Sequence, residues 1–197
     1  MNHIFYLMGK SSSGKDTVYR TLLADTELIP IVLYTTRPVR EGEQDGRDYH
    51  FVDRARFEAM LGNGEIIEYR VYDTVHGEWI YYTATGSIAL DKGDCIGIGT
   101  LESYLKLRER FGSDVVVPIY VEVCDDIRFL RAVEREKKQK EPKYLELCRR
   151  FVADSADFSE EKLAEAGITV RFDNSGQPMD CPAAVKRYIS DIVSGLD

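Results

Sequence analysis

The chain has 197 residues, of which 44% are apolar, with 12 tyrosines and 8 phenylalanines, which describes one folded globule with a single substantial core. Its net charge of −8 and pI near 5.0 weigh against nonspecific binding to nucleic acid or to an anionic membrane, so any anionic ligand needs a local basic cluster. Cys95, Cys124, Cys148 and Cys181 are too widely spaced for a zinc ribbon or a redox C-x-x-C and read as reduced structural thiols.

The run Ile4-Phe5-Tyr6-Leu7-Met8 predicts a buried strand. It meets Gly9-Lys10-Ser11-Ser12-Ser13-Gly14-Lys15-Asp16-Thr17, and apolar Val18, Leu22 and Leu23 then predict a helix from about Asp16 to Ala24. Strand, glycine-rich loop and helix in that order form a phosphate cradle: backbone N–H groups turn inward, the helix start adds partial positive charge, and Lys15 brings a full one. The loop matches the pattern G-x-x-x-x-G-K-[ST] except that Asp16 stands where a hydroxyl is usual. The strand begins almost at once, with no basic, apolar and cleavage regions of a leader, and no apolar stretch approaches the roughly 18 residues of a membrane span. A cytoplasmic protein is expected.

Pro30 to Tyr34 predicts a second buried strand, followed by a polar loop through Gly46 that ends in a strand near Phe51 and Val52. Asp53 stands as N-cap to a helix carrying Phe57, Met60 and Leu61, which Gly62-Asn63-Gly64 stops. Ile66 to Tyr72 and Trp79 to Thr83 predict an antiparallel hairpin, broken at Asp73 to Gly77. A helical turn is expected at Ile88 to Leu90, strands at Cys95 to Gly99 and Val115 to Val123, and a helix between them over Leu101 to Phe111. Pro118 inside the long apolar run calls for a bulge or an edge. Helices are predicted over Asp126 to Lys140, Tyr144 to Asp154 and Ser159 to Ala166, then a strand at Ile168 to Phe172 and a last helix around Ala183 to Val193. Alternating strands and helices around a phosphate loop predict an α/β fold with a parallel sheet, helices on both faces, and ligands at the C-terminal ends of the strands.

Two further basic clusters qualify the loop. Arg37 and Arg40 follow a strand, with Tyr49 and Tyr81 in reach of the same region; guanidinium forks and phenols suit a second, acceptor phosphate, although a solvated basic loop with core tyrosines has the same composition. Arg131 and Arg135, four apart, share a helix face, and Arg149 and Arg150 follow on the next helix. His3, His50 and His76 have no metal-ligand spacing and read as structural.

Thr35-Thr36-Arg37, Arg40, Gly42-Glu43, Gly46, Asp48-Tyr49 and Phe51-Val52, together with Gly64-Glu65-Ile66-Ile67-Glu68, resemble the signatures of the guanylate kinases, P-loop nucleoside monophosphate kinases. The resemblance implies a P-loop NTPase-type sheet with a small mixed or antiparallel NMP-binding insertion and a helical lid. It implies one domain over 1–197, with core 1–33, 84–125 and 155–197, NMP-binding region 34–83 and lid about 126–154. By position it assigns the acceptor phosphate to Arg37, Arg40, Tyr49 and Tyr81, with Thr83 and Thr100 also on the acceptor side, and the base to Glu68. ATP falls to the loop Gly9 to Thr17 and to Asn174. Lys15, Arg37, Arg131, Arg135 and Arg150 then surround the transferring group, with Mg²⁺ as cofactor. The implied reaction moves the γ-phosphate of ATP to a nucleoside monophosphate, GMP or dGMP, with no nucleic-acid or membrane partner and a monomeric or homodimeric state. Chemistry also supports Glu68, because a carboxylate accepts from guanine N1–H and N2 together and adenine offers no such pair, although a solvent-facing residue of a half-buried strand has the same pattern.

The chain departs from the family at four places. Leu33 stands for a base-touching serine, Ile98 and Thr100 for two aspartates, Tyr81-Tyr82-Thr83 lacks a glycine, and Asp16 replaces the loop hydroxyl. Asp16 could therefore hold the metal directly or through water, taking over a carboxylate lost at Ile98. The same scaffold would also serve another phosphorylated acceptor, such as a different nucleotide or a ribose bisphosphate. A non-catalytic, partner-binding module is a further alternative, opposed by the retained Gly9, Gly14 and Lys15.

Overall fold

The structure, a computed structural model, describes residues 1–74 and 77–195. Five parallel strands form the main sheet: β1 (Ile4–Met8), β2 (Ile29–Pro30), β7 (Cys95–Ile98), β8 (Val116–Glu122) and β9 (Arg171–Asp173), in the order β2-β7-β1-β8-β9. Every residue of β1 is buried, which is why its sequence is a continuous apolar run. Alternate side chains serve opposite faces. Phe5 and Leu7 pack with helices α1 (Lys15–Asp25) and α7 (Asp180–Val193), whereas Ile4, Tyr6 and Met8 pack with α3 (Leu101–Phe111) and α6 (Glu160–Glu165). An α/β fold with helices on both faces is thus observed.

A second sheet of four strands holds β3 (Tyr34–Thr35), β4 (His50–Phe51), β5 (Ile66–Thr74) and β6 (Gly77–Ala84), ordered β4-β3-β6-β5. β3 and β4 run parallel and the other pairs antiparallel, so this sheet is mixed. Helix α2 (Arg54–Gly62) backs it, with Asp53 accepting from the Arg56 N–H as the expected N-cap. The hairpin break expected over Asp73 to Gly77 is narrower, since Asp73 and Thr74 still belong to β5 and Gly77 begins β6; Val75 and His76 lie outside the described residues. Two further helices, α4 (Asp125–Lys137) and α5 (Tyr144–Asp157), pack on one another beside the main sheet.

Three expectations need correction. Pro30 to Tyr34 is not one strand: Pro30 ends β2 at the edge of the main sheet and Tyr34 begins β3 in the other. The segment between is handed across, since Ile31 N donates to Ile96 O at 2.8 Å and Leu33 O accepts from His50 N at 2.8 Å. The helical turn expected at Ile88 to Leu90 lies earlier, as a 3₁₀ turn over Thr85–Ser87. Ile168 is buried as the end of α6 and not as a strand: its N–H bonds back to Leu163 O at 2.9 Å across Gly167, whose φ is 70°. Strand β9 begins only at Arg171.

Pro118 resolves without a bulge. In the register of β8, Tyr6 of β1 lies opposite Pro118, while β9 joins only from Tyr120 onward. Val115 O accepts from Ile4 N of β1, and Glu122 O accepts from Asn174 N on the β9 side. Alternation then turns the nitrogen of Pro118 toward the side where β9 has not yet begun, so no ladder bond is lost.

Candidate active site

The phosphate loop joins β1 to α1 at the C-terminal edge of the main sheet. A Cβ on Gly9 would collide with the carbonyl oxygen of Val121, and one on Gly14, at φ 85°, with the amide nitrogen of Asn174, so both positions demand glycine. Ser12 adopts φ 65° without being glycine, a local strain of about 1 kcal/mol of the kind found at ligand clamps. Asn174 Nδ2 donates to Ser13 O at 2.8 Å, bracing the loop from β9. Thr17 N donates to Gly14 O at 2.9 Å as the helix opens.

The charges sit in order along this loop. Lys10 Nζ is 3.6 Å from Asp125 Oδ1, and Lys15 Nζ is 3.9 Å from the exposed Asp16 carboxylate. Ser11 N donates to Asp154 Oδ2 at 2.8 Å, which pins α5 to the loop. Asp154 is in turn bound by Arg128 Nη1 at 3.0 Å, and that guanidinium is buried, 3.8 Å over the Phe151 ring.

Across the cleft, Arg37 is buried and its fork is largely occupied. Nε donates to Tyr81 OH at 3.0 Å, Nη1 to Pro38 O at 2.9 Å and to Glu43 Oε2 at 2.8 Å, and Nη2 to Glu43 Oε1 at 2.7 Å. Of the five guanidinium N–H groups one remains without a partner among the described residues, on Nη2. Tyr49 and Phe51 lie against its carbon face at 5.2 and 5.5 Å. Arg40 is exposed, lies 5.8 Å over Trp79, and its guanidinium donates no hydrogen bond among the described residues. Arg37 therefore offers one pre-set donor and Arg40 a whole fork.

The bidentate hydrogen bond from Arg37 holds the Glu43 carboxyl down at about 2, against an ordinary 4.5. A depressed carboxylate contributes stability above its unfolded pKa and loses it as pH falls through the folded one. The Arg37–Glu43 lock should therefore be complete above about pH 5 and lost between there and about 2. Glu43→Gln is expected to lower the melting temperature at pH 7 and to flatten its fall over that acid window, measured by thermal melts at several pH values. An unchanged acid limb would refute the lock.

A cleft of about 470 Å³ opens between the two sheets. Lys15 and Asp16 from the loop line it together with Tyr49, Tyr81 and Thr100 from the acceptor side, as do Leu33 and Ile98. Arg37, Arg40, Glu68 and Thr83 are not in its lining. Glu68 and Thr83 are buried just behind it, with Thr83 Oγ1 donating to Glu68 Oε1 at 2.7 Å. Arg135 and Arg150 face a narrow crevice beside Ser11 and Ser12. Arg131 instead donates from Nη2 to Asn174 O at 2.9 Å, tying α4 to the brace of the loop, and Arg149 pairs outward with Glu146 at 2.7 Å.

The structure adds residues that the sequence reading did not single out. Arg70, Tyr72, Trp79, Asp154 and Asp157 line the cleft. Arg70 lies two residues from Glu68 on β5, and the strand period of two puts both on one face, a signal present in the sequence. Arg128 and Asp154 have no such signal, being 26 residues apart. His3 bonds Asp94 at 3.2 Å and His50 packs on Tyr34, whereas His76 lies outside the described residues. All four cysteines are free, and no helix is long and apolar enough to cross a membrane among the described residues.

The fit to a divalent cation turns on Asp16. No group of three or more His, Cys, Asp or Glu side chains gathers among the described residues, but Mg²⁺ commonly takes one or two carboxylates and fills its shell with water and phosphate oxygens. Asp16 is exposed in the cleft, next to Lys15, and suits that mode.

Residues 1–88 match the family model described as guanylate kinase. A guanylate kinase of Rhodopseudomonas palustris is 38% identical over 120 residues, covering 57% of this chain and 51% of that protein. One from Nitrosomonas europaea is 40% identical over 103 residues, covering 49% and 51%. Another, from Thermus thermophilus, is 45% identical over 69 residues, covering 35% and 31%. The chain thus spans about half the length, or less, of the curated relatives it matches. The crystal structure of a guanylate kinase from Anaplasma phagocytophilum superposes with a TM-score of 0.64 at 22% identity, covering 98% of this chain and 85% of that one. The N-terminal part of the chain is guanylate-kinase-like in sequence, and the whole chain is guanylate-kinase-like in fold.

Proposed function

We propose that this protein is an ATP-dependent nucleoside monophosphate kinase that transfers the γ-phosphate of ATP to GMP or dGMP. The observation that carries the reading is the single cleft in which Lys15 and Asp16 of the phosphate loop face Tyr49 and Tyr81. Phosphoryl transfer asks little covalent chemistry of a protein; positioning and charge neutralisation supply the rate.

The loop Gly9 to Thr17, with Lys10, Ser11, Ser12, Ser13 and Gly14, would hold the donor phosphates, with Lys15 as the full charge and Asn174 bracing the base of the loop. On the acceptor phosphate, Arg40 would bring its free fork, Arg37 its remaining N–H, and Tyr49 and Tyr81 their hydroxyls. Glu68 would accept from guanine N1–H and N2, with Thr83 and Thr100 beside it. In line with the acceptor oxygen, Arg135 and Arg150 would close on the transferring group from the crevice beside Ser11 and Ser12, and Arg131 would hold their helix to Asn174. The moving parts of this scheme are a core of 1–33, 84–125 and 155–197, an NMP-binding region of 34–83 and a lid of about 126–154. The site would act on free nucleotides in the cytoplasm, as a monomer or homodimer.

When bound, Mg²⁺ would shield the charge of the donor phosphates, and Asp16 would hold it, directly or through water. Asp16→Asn is expected to raise the Mg²⁺ concentration needed for half-maximal turnover about tenfold. A variant with unchanged Mg²⁺ dependence would remove Asp16 from the metal's shell. The function itself is tested by following ADP formation across GMP, dGMP, AMP, CMP, UMP and ribose bisphosphates. GMP or dGMP should dominate, and turnover restricted to a non-nucleotide acceptor would overturn the assignment.

A further inference from the structure

Arg70 has a position that the reading above leaves unused. It projects from β5 into the cleft, lining it together with Leu33, Thr100 and Tyr72. Its side chain is only 16% exposed, its Nε is buried, and the guanidinium donates no hydrogen bond among the described residues. Its ion-pair partner among the described residues is Glu68, whose Oε2 lies 3.4 Å from Nε, with Glu102 further off. Enclosing a cation with five N–H donors and giving it no acceptor is costly, and the cost is offset when a ligand supplies the acceptor.

The neighbours narrow that ligand. Glu68 Oε1 already accepts from Thr83, and Oε2 remains beside Arg70, so a carboxylate stands just behind a guanidinium that lines the wall. Leu33 and Ile98, which also line the cleft, offer no hydrogen-bonding side chain. The Tyr6 hydroxyl lies buried beneath, near Ser103 and Glu68. The pairing edge of guanine presents an acceptor and two donors in a row: O6, N1–H and the N2 amino group. A carboxylate answers the two donors, and a neighbouring donor fork answers O6. Arginine is a frequent partner of guanine O6 and N7 in nucleic-acid recognition for the same geometric reason. Adenine would turn its 6-amino group toward the cation and find no acceptor there.

We propose that Arg70 is a specificity-determining residue that donates to the 6-oxo group of the acceptor purine, forming with Glu68 a paired reader for 6-oxopurine nucleotides. The proposal rests on the nucleoside monophosphate reading of the same cleft. It differs from the plainer role of a counter-ion to Glu68, which would act on every acceptor alike.

The experiment compares GMP with 6-thio-GMP, in which a weakly accepting sulfur replaces O6 while N1–H and N2 stay. Binding of each is measured by calorimetry to the full chain and to Arg70→Ala and Arg70→Gln, with melting curves to check folding, alongside kcat and KM for ADP formation. The full chain should bind GMP about tenfold more tightly than the thio analogue. Either substitution should weaken GMP about tenfold, chiefly in KM, and shrink the preference over the thio analogue to less than about twofold. Equal losses for both acceptors would make Arg70 a counter-ion, and no loss would remove it from the site; either result overturns the proposal. GMP binding with the expected pattern but without ADP formation would overturn the kinase reading and leave Arg70 standing as a base reader. Absence of GMP binding to the full chain would overturn both.

Discussion

Lys15→Met is expected to lower turnover by at least a hundredfold while moving the melting temperature by no more than a few degrees. Removing one preorganised charge or donor from a water-poor transfer site costs on the order of 10²–10³ in rate. Lys15 is placed for that role at the first position of α1, lining the cleft, and among the described residues its nearest ionic contact is Asp16 at 3.9 Å. The fold asks little of it, because the loop is held by other groups: Asn174 on Ser13 O, Asp154 on Ser11 N, and Thr17 N on Gly14 O. A coupled assay for ADP release and a thermal melt check the two halves of the statement. Turnover within tenfold of the unaltered chain would show that this lysine does not bear the donor phosphates.

Arg128→Met should have the largest effect on stability of any single exchange near the site, about 3 kcal/mol. The side chain is 1% exposed; it meets Asp125 Oδ1 at 3.0 Å, Asp154 Oδ2 at 3.0 Å and Ser11 O at 3.4 Å, and it stacks 3.8 Å over Phe151. Methionine replaces part of its volume but leaves the Asp154 carboxylate, whose side chain is 16% exposed, without its cation and with only the Ser11 donors. Breaking one partner of a buried pair costs more than removing both. The double variant Arg128→Met with Asp154→Asn should therefore recover part of the loss in chemical denaturation. A single variant within 0.5 kcal/mol of the unaltered chain would contradict the account, as would a double variant less stable than the single. Because Asp154 and Arg128 join α5 and α4 to the phosphate loop, the same substitution should also raise KM for ATP.

The parts of the molecule legible in sequence are those whose signals are local. β1, the phosphate loop and α1 follow from an apolar run, two glycines and a helical period, and α2 from a single capping aspartate, Asp53. The handover between sheets at Ile31 to Leu33 was not legible, because β-propensity says that a segment is extended but not which sheet receives it. Ile168 misled for a related reason: an apolar residue after a helix can close that helix as well as open a strand. In the site, the cluster of Arg37, Tyr49 and Tyr81 was readable, but its internal wiring was not. Glu43 takes half of the Arg37 fork, which moves much of the free donor capacity to Arg40. Arg70 was within reach of strand periodicity, whereas the Arg128–Asp154 clamp depends on helix packing that no local pattern encodes.

Incubating the protein with γ-labelled ATP, Mg²⁺ and GMP, and following the label by separation of the products, tests the central claim most directly. The account predicts label in GDP, with one ADP formed for each GDP and with release of inorganic phosphate at a small fraction of that rate. Label appearing only in inorganic phosphate, or remaining in ATP while GMP is bound, would contradict it.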